Sequence, residues 1–210
     1  MSAAATPSLD LTSPPFGDLL DSIAAKQPTP GGGAVAALVG AISAALGSMV
    51  VAYSRGRKAL APHANRLESA GNALDAHRAR AIELAAEDAR AYGALNELWK
   101  RPADDPVRVR DMPAAVQAAI DAPMAAAQLG LETLSVLERL VGHSNRHLGS
   151  DLAIAAILAE AAVRSALWNV RINLPMLDDA AAQSACEATI ESSLKRAAAA
   201  CRSIEDGVRG

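Results

Sequence analysis

The chain has 210 residues, is 51% hydrophobic yet only 2% aromatic, and sets 20 basic against 23 acidic side chains for a formal net charge of −3. That length fits one domain with a substantial core. The interspersed, slightly acidic charge excludes the basic face that a nucleic-acid binder needs. Alanine is abundant, aromatic and β-branched runs are scarce, and no strictly alternating stretch is bounded by turns, so the composition predicts an all-α fold. Cys186 and Cys201 stand apart from any paired-ligand spacing and read as reduced, structural thiols of a cytoplasmic protein.

Residues 1–15 lack a basic segment followed by an apolar one, which argues against a secretory signal and for a disordered N-terminal arm. A single helical domain is expected over 16–210. Breakers divide it into about six helices, near 16–26, 32–58, 62–100, 113–141, 150–174 and 178–206, with Pro123 expected to kink the fourth. Long helices joined by short breakers predict a bundle. No internal repeat is visible.

The run Gln27-Pro28-Thr29-Pro30-Gly31-Gly32-Gly33 opens onto residues 34–53, which carry no charge and are mostly small. Prolines stop what precedes, the glycines permit close backbone approach, and bare amides at a helix start present partial positive charge. The pattern suggests a binding loop at the mouth of a buried helix, although a glycine-rich helix start can also be punctuation. The same segment has the length of a membrane span, with Arg55, Arg57 and Lys58 beyond it. Alanine and glycine supply little transfer energy and no second span is read from the sequence, so a soluble core helix is preferred and no membrane partner is expected.

Farther on, Leu67, Leu74, Ala81, Asp88 and Leu95 recur every seven residues as one stripe, apolar except for Asp88. A carboxylate on a core seam is costly unless paired or protonated, and burial raises its pKa. Asp88 is therefore either a general acid/base or a structural carboxylate bonding a neighbouring helix. Asp151 follows Ser150 at a helix start, where capping or dipole stabilisation is its ordinary role. Asn169 and Asn173 share a face with Ala162, Ser165 and Ala166; such amides lock helices together or read a polar heterocycle. Arg164, four residues after Glu160, has a surface ion pair as its default. Arg55, Arg57 and Lys58 either complement a helix C-terminus or cradle substrate carboxylates. His143, His147 and Asp151 recur every four residues in a metal-ligand spacing, but Gly142 and Gly149 interrupt the helix, no fourth ligand is apparent, and no metal site is assigned.

Taken together, Pro28-Thr29-Pro30-Gly31-Gly32-Gly33 with its small-residue helix, Gly56-Arg57-Lys58, Glu87-Asp88 with Ala91-Tyr92, Asn145 with Ser150-Asp151, and the run from Arg164 to Asn173 resemble the cyclodeaminase/cyclohydrolase family of folate enzymes. The family comprises methenyltetrahydrofolate cyclohydrolases and the C-terminal domain of formiminotransferase-cyclodeaminase. The chain departs from the family pattern at Ala59-Leu60, Arg90 and His147. The resemblance implies an all-α homodimer acting on tetrahydrofolate derivatives, with no metal and no cofactor beyond the substrate. It implies catalytic roles for Asp88 or Asp151. It implies substrate binding by Thr29, Gly31, Gly32, Gly33, Arg57, Lys58, Asn145, Arg164, Asn169 and Asn173. A stand-alone chain without a formiminotransferase domain favours the cyclohydrolase; the cyclodeaminase, which expels ammonia, is the alternative, and a non-catalytic folate-binding or scaffold protein a third.

Overall fold

A computed structural model describes residues 16–209; the expected N-terminal arm, 1–15, lies outside them. Six helices follow in order: α1 (Phe16–Ala24), α2 (Gly32–Ala52), α3 (Ala64–Trp99), α4 (Pro106–Glu138), α5 (Gly149–Asn173) and α6 (Ala180–Arg209), with 3-10 turns at Lys58–His63, Arg146–Leu148 and Leu174–Met176. No strand occurs among the described residues. The fold is the expected all-α bundle.

Helix α2 is its axis, packed chiefly on α3 and α5 and also on α4, while α6 closes the far side against α5 and α4. Small side chains let it do so: Ala34, Ala37 and Ala44 are fully or nearly fully buried. The α2–α5 pair runs antiparallel. Gly32 lies beside Asn169, Gly40 beside Ala162, and the buried Ser43 hydroxyl donates to the Ala155 carbonyl at 2.7 Å. A hydroxyl bonded inside an alanine seam avoids the cost of an unpaired buried group. The stripe on α3 faces the core as expected, with Leu67, Leu74, Ala81 and Leu95 all buried.

Two boundaries differ from expectation for local reasons. Helix α2 stops at Ala52, short of Lys58, where the Ser54 hydroxyl turns back to the Val50 carbonyl at 2.6 Å and Gly56 adopts φ +74°. That left-handed conformation ends a helix at little cost only for glycine. Helix α4 begins at Pro106, seven residues before the expected Pro113, because the Asp105 carboxylate accepts from the amides of Val107 (2.8 Å) and Arg108 (3.1 Å). Asp-Pro is thus a helix start, with Pro106 at the position where its missing N–H costs nothing. Both Pro113 and Pro123 are accommodated inside that one continuous helix, Pro123 buried within the core.

The expectation of no second span is also corrected. Besides α2, the segment Arg146–Met176 is long and apolar enough by composition to cross a membrane. Half of the apolar window of α2 is buried inside the bundle, as a core helix requires.

Candidate active site

The start of α2, the middle of α3 and the last turn of α5 enclose a cavity of about 300 Å³ lined by Pro28, Gly31, Gly32, Gly33, Asp88, Tyr92, Ala119, Asn169, Ile172 and Asn173. The loop into it contains a cis Thr29–Pro30 peptide, and Gly31 in extended conformation caps α2 without any side-chain bond. The first amides of α2 therefore face the cavity rather than a capping side chain.

Asp88 accepts one of them. Its carboxylate is hydrogen-bonded by the Ala34 amide, and the backbone approaches so closely that a Cβ on Gly33 would lie 2.1 Å from Oδ1. A side chain at position 33 would have to displace the carboxylate. Burial pushes the Asp88 pKa from 3.8 up to about 6, and the Ala34 bond pulls in the opposite direction without cancelling it. A carboxyl poised at that value exchanges protons at near-neutral pH. Its chain neighbour Glu87 is held away in an exposed ion pair with Arg80 at 2.6 Å.

Two amides complete the polar wall. Asn173 is buried, and its Nδ2 donates to the Ala119 carbonyl of α4 at 2.8 Å. Asn169 Nδ2 donates to the Ser165 carbonyl one turn back at 3.0 Å. In each case an N–H is used within the protein, which leaves the amide oxygen to accept from a ligand. Asn169 Oδ1 lies beside Gly32, 3.5 Å from where a Cβ would sit. Ala119, Ile172 and Tyr92 supply apolar and aromatic lining.

The remaining expected site residues lie elsewhere. Arg57 and Lys58 are exposed on a second cavity of about 480 Å³ at the C-terminal end of α2, with Ser54, Arg55, Leu67 and Asn72. Asn145 is tied to that same end: its backbone N–H donates to the Ser54 hydroxyl at 2.8 Å, and its side chain accepts from the His147 amide. Asp151 sits in the first turn of α5 and lines neither cavity. Arg164 is exposed, 3.8 Å from Glu160, in the surface pair that their four-residue spacing predicts. Thr29 follows the lining residue Pro28 but does not itself line the cavity. Helix α2 spans 21 residues, so the two ends stand about 30 Å apart at a rise of roughly 1.5 Å per residue.

His143 and His147 do not share a helical face with Asp151. Gly142 at φ +70° and the 3-10 turn break the register, and His143 packs edge-on against His63. Among the described residues no three His, Cys, Asp or Glu side chains are grouped to hold a metal ion. Sequence reading passed over Ala119 and Ile172 as site residues, because an apolar lining position looks like any core or surface position until the fold is known.

Residues 15–192 match the formiminotransferase-cyclodeaminase family. The chain is 31% identical over 166 residues to a methenyltetrahydrofolate cyclohydrolase of Methylorubrum extorquens, covering 77% of this chain and 80% of that one. It is 30% identical over 173 residues to the formimidoyltransferase-cyclodeaminase of Gallus gallus, covering 80% of this chain and only 32% of that longer protein. The fold superposes on the formiminotetrahydrofolate cyclodeaminase of Thermotoga maritima with a TM-score of 0.80 at 26% identity, covering 94% of both chains. With most of its length matched in sequence and nearly all of it in fold, the chain belongs to the formiminotransferase-cyclodeaminase family of enzymes.

Proposed function

We propose that this protein is a methenyltetrahydrofolate cyclohydrolase, opening 5,10-methenyltetrahydrofolate to 10-formyltetrahydrofolate. The observation that carries the reading is Asp88: a half-buried carboxyl with its pKa raised to about 6, set against the glycine-rich helix start in a cavity with two asparagine amides. The bacterial relative of comparable length, 80% covered, bears that activity in its name.

In this scheme the carboxylate of Asp88 takes a proton from water as its oxygen bonds to the amidinium carbon. A tetrahedral carbon bearing two nitrogens results. Asp88 then returns the proton to N5 as the carbon–N5 bond breaks, the hydroxyl proton leaves to solvent, and the formyl group stays on N10. A group with a pKa near the working pH serves both halves of such a relay. The oxygens of Asn169 and Asn173 accept from the donor edge of the pterin, Ile172 and Tyr92 cover its face, and the α2 amides fix its position. The substrate is the only cofactor-like molecule in the scheme and no metal enters it.

The test is the spectrophotometric decay of 5,10-methenyltetrahydrofolate against the uncatalysed rate, in wild type and Asp88→Asn. Acceleration lost in the variant and unchanged by chelator supports the reading. No acceleration refutes it in favour of the second reading, a formiminotetrahydrofolate cyclodeaminase, which the Thermotoga structure favours and which ammonia release would detect. Binding without either turnover would favour a non-catalytic folate-binding protein.

A further inference from the structure

Helix α4 holds two interior prolines, Pro113 and Pro123. Each withholds one backbone donor, so the carbonyl four residues earlier loses its helical partner, and the ring pushes that carbonyl off the helix axis. For Pro113 the carbonyl is that of Val109; both residues are exposed, where water can satisfy it. For Pro123 it is that of Ala119. Pro123 is buried and Ala119 is only 4% exposed. An unpaired carbonyl in such a place is costly. Its partner comes from another helix: Asn173, at the end of α5, donates Nδ2 to the Ala119 carbonyl at 2.8 Å.

Packing alone gives no reason for a proline at 123. Its buried neighbours along α4 include Ala119, Ala122, Ala126 and Ala127, and alanine is the best helix former where proline is the worst. What proline contributes at this position is a missing N–H.

The consequence lies in the cavity. An asparagine amide presents either a donor or an acceptor, depending on which way round it faces, and its two ends are alike in size. With Nδ2 held by Ala119, Asn173 turns Oδ1 to the cavity that both residues line. That oxygen accepts from no described residue, and among the described residues no buried side-chain oxygen lacks a partner, so it is open to a ligand. Asn169 is held differently, by the Ser165 carbonyl one turn back on its own helix, and needs no second helix to orient it.

We propose that Pro123 is a positioning residue of this site: the N–H it withholds reserves the Ala119 carbonyl for Asn173, and so sets an acceptor rather than a donor toward the ligand. The ligand edge selected at that point is one that donates hydrogen bonds. The proposal rests on the folate reading for what fills the cavity; the link from Pro123 to Asn173 does not.

Pro123→Ala returns an N–H to the helix, which competes for the Ala119 carbonyl and draws it back toward the axis. The first readout is a double-mutant cycle in equilibrium binding of 5-formyltetrahydrofolate, an isomer of the proposed product. Pro123→Ala and Asn173→Ala are each expected to weaken binding about tenfold, and the double variant to bind no more weakly than Asn173→Ala alone. Pro113→Ala, the exposed proline of the same helix, is expected to change nothing. A Pro123→Ala protein that binds like wild type overturns the proposal. So do losses that multiply to about 100-fold in the double variant, because the proline then acts on the core at large and not through Asn173.

The second readout needs no folate. In an NMR spectrum the Asn173 side-chain amide is the pair of signals missing from Asn173→Ala. Its hydrogen-bonded proton is expected to exchange slowly with solvent in wild type and in Pro113→Ala, and about tenfold faster in Pro123→Ala. Equal exchange in wild type and Pro123→Ala, or a freely exchanging amide in wild type, overturns the link. If wild type binds no 5-formyltetrahydrofolate, the folate reading fails by itself and these signals alone decide the role of Pro123. Should Pro123→Ala lose helical circular dichroism, Pro123→Val restores the same N–H with a bulkier side chain and takes its place in both readouts.

Discussion

The two ends of the α2–α5 pair are built from similar material and differ in what they can do. At the α2 start, glycines bring backbone to within contact of a half-buried carboxylate, and its pKa rises to about 6. At the other end, a left-handed Gly56 throws the chain outward and leaves Arg57 and Lys58 exposed. One end desolvates a charge and so gives it chemistry; the other keeps its charges in water and so gives them reach. The lesson is that the same residue class, glycine at a helix terminus, serves catalysis or display according to whether the backbone closes on a neighbour or turns away from it.

The sharpest way to break this contrast is at the carboxylate. Asp88→Asn keeps the acceptor for the Ala34 amide and removes the titrating proton, so kcat should fall by about 10²–10⁴-fold while helicity holds. A variant within tenfold of wild type in methenyltetrahydrofolate decay removes Asp88 from the mechanism. Gly33→Ala should follow, with a loss on the order of 10²-fold, because its Cβ would stand 2.1 Å from the Asp88 oxygen and must displace it. Alanine is the better helix former, so a folded and inactive Gly33→Ala isolates geometry from stability. An active one would mean that the carboxylate has freedom to move.

How much of this was readable beforehand divides along the same line. The seven-residue stripe through Leu67, Leu74, Ala81 and Leu95 fixes the face of α3, so Asp88 was legible as a misfit on a core seam. The Pro-Gly run marked the helix start that meets it. What the sequence concealed was separation. Arg57, Lys58 and Asn145 follow the same motif order as the cavity residues, yet order along the chain does not report that α2 and α5 are antiparallel and about 30 Å long. Asp105-Pro106 falls between the helices expected over 62–100 and 113–141, because residues that cap the start of one helix also serve to end another. His143, His147 and Asp151 kept a helical spacing across glycines that the backbone does not honour.

The pKa of Asp88 sharpens the comparison through pH. Its folded value, about 6, lies above the ordinary 3.8, so the folded state holds the proton more tightly than the unfolded chain. Stability from this group is therefore full below about pH 4 and is lost as pH rises through about 6. By the same linkage, Asp88→Asn should stabilise the protein at pH 8, by at most about 3 kcal/mol, and have little effect at pH 4. Thermal melts at the two pH values check the sign. A base that must be ionised also predicts that kcat/KM declines below about pH 6. Stabilisation by the variant at pH 4 and not at pH 8 would reverse the assignment of burial as the dominant cause.

The smallest effects belong to Asp151 and Arg164, which share the motif run but neither cavity. Asp151 lies in the first turn of α5, where the cap residue Leu148 has no side-chain acceptor to give. Its carboxylate favours the positive end of the helix, and Asp151→Asn should cost about 0.3–1 kcal/mol of stability, with turnover within a few-fold of wild type. Arg164 is exposed and paired loosely with Glu160 at 3.8 Å, so Arg164→Ala should change stability by less than about 0.5 kcal/mol. Urea melts and substrate-decay rates measure both. A loss of turnover at Asp151 as large as that at Asp88 would mean that the far end of the helix pair takes part in proton transfer. Because general acid–base contact operates at about 3 Å, and Asp151 stands at the start of α5 while Asp88, on α3, faces a cavity at the last turn of α5, such a loss would contradict the placement of the reacting carbon beside Asp88.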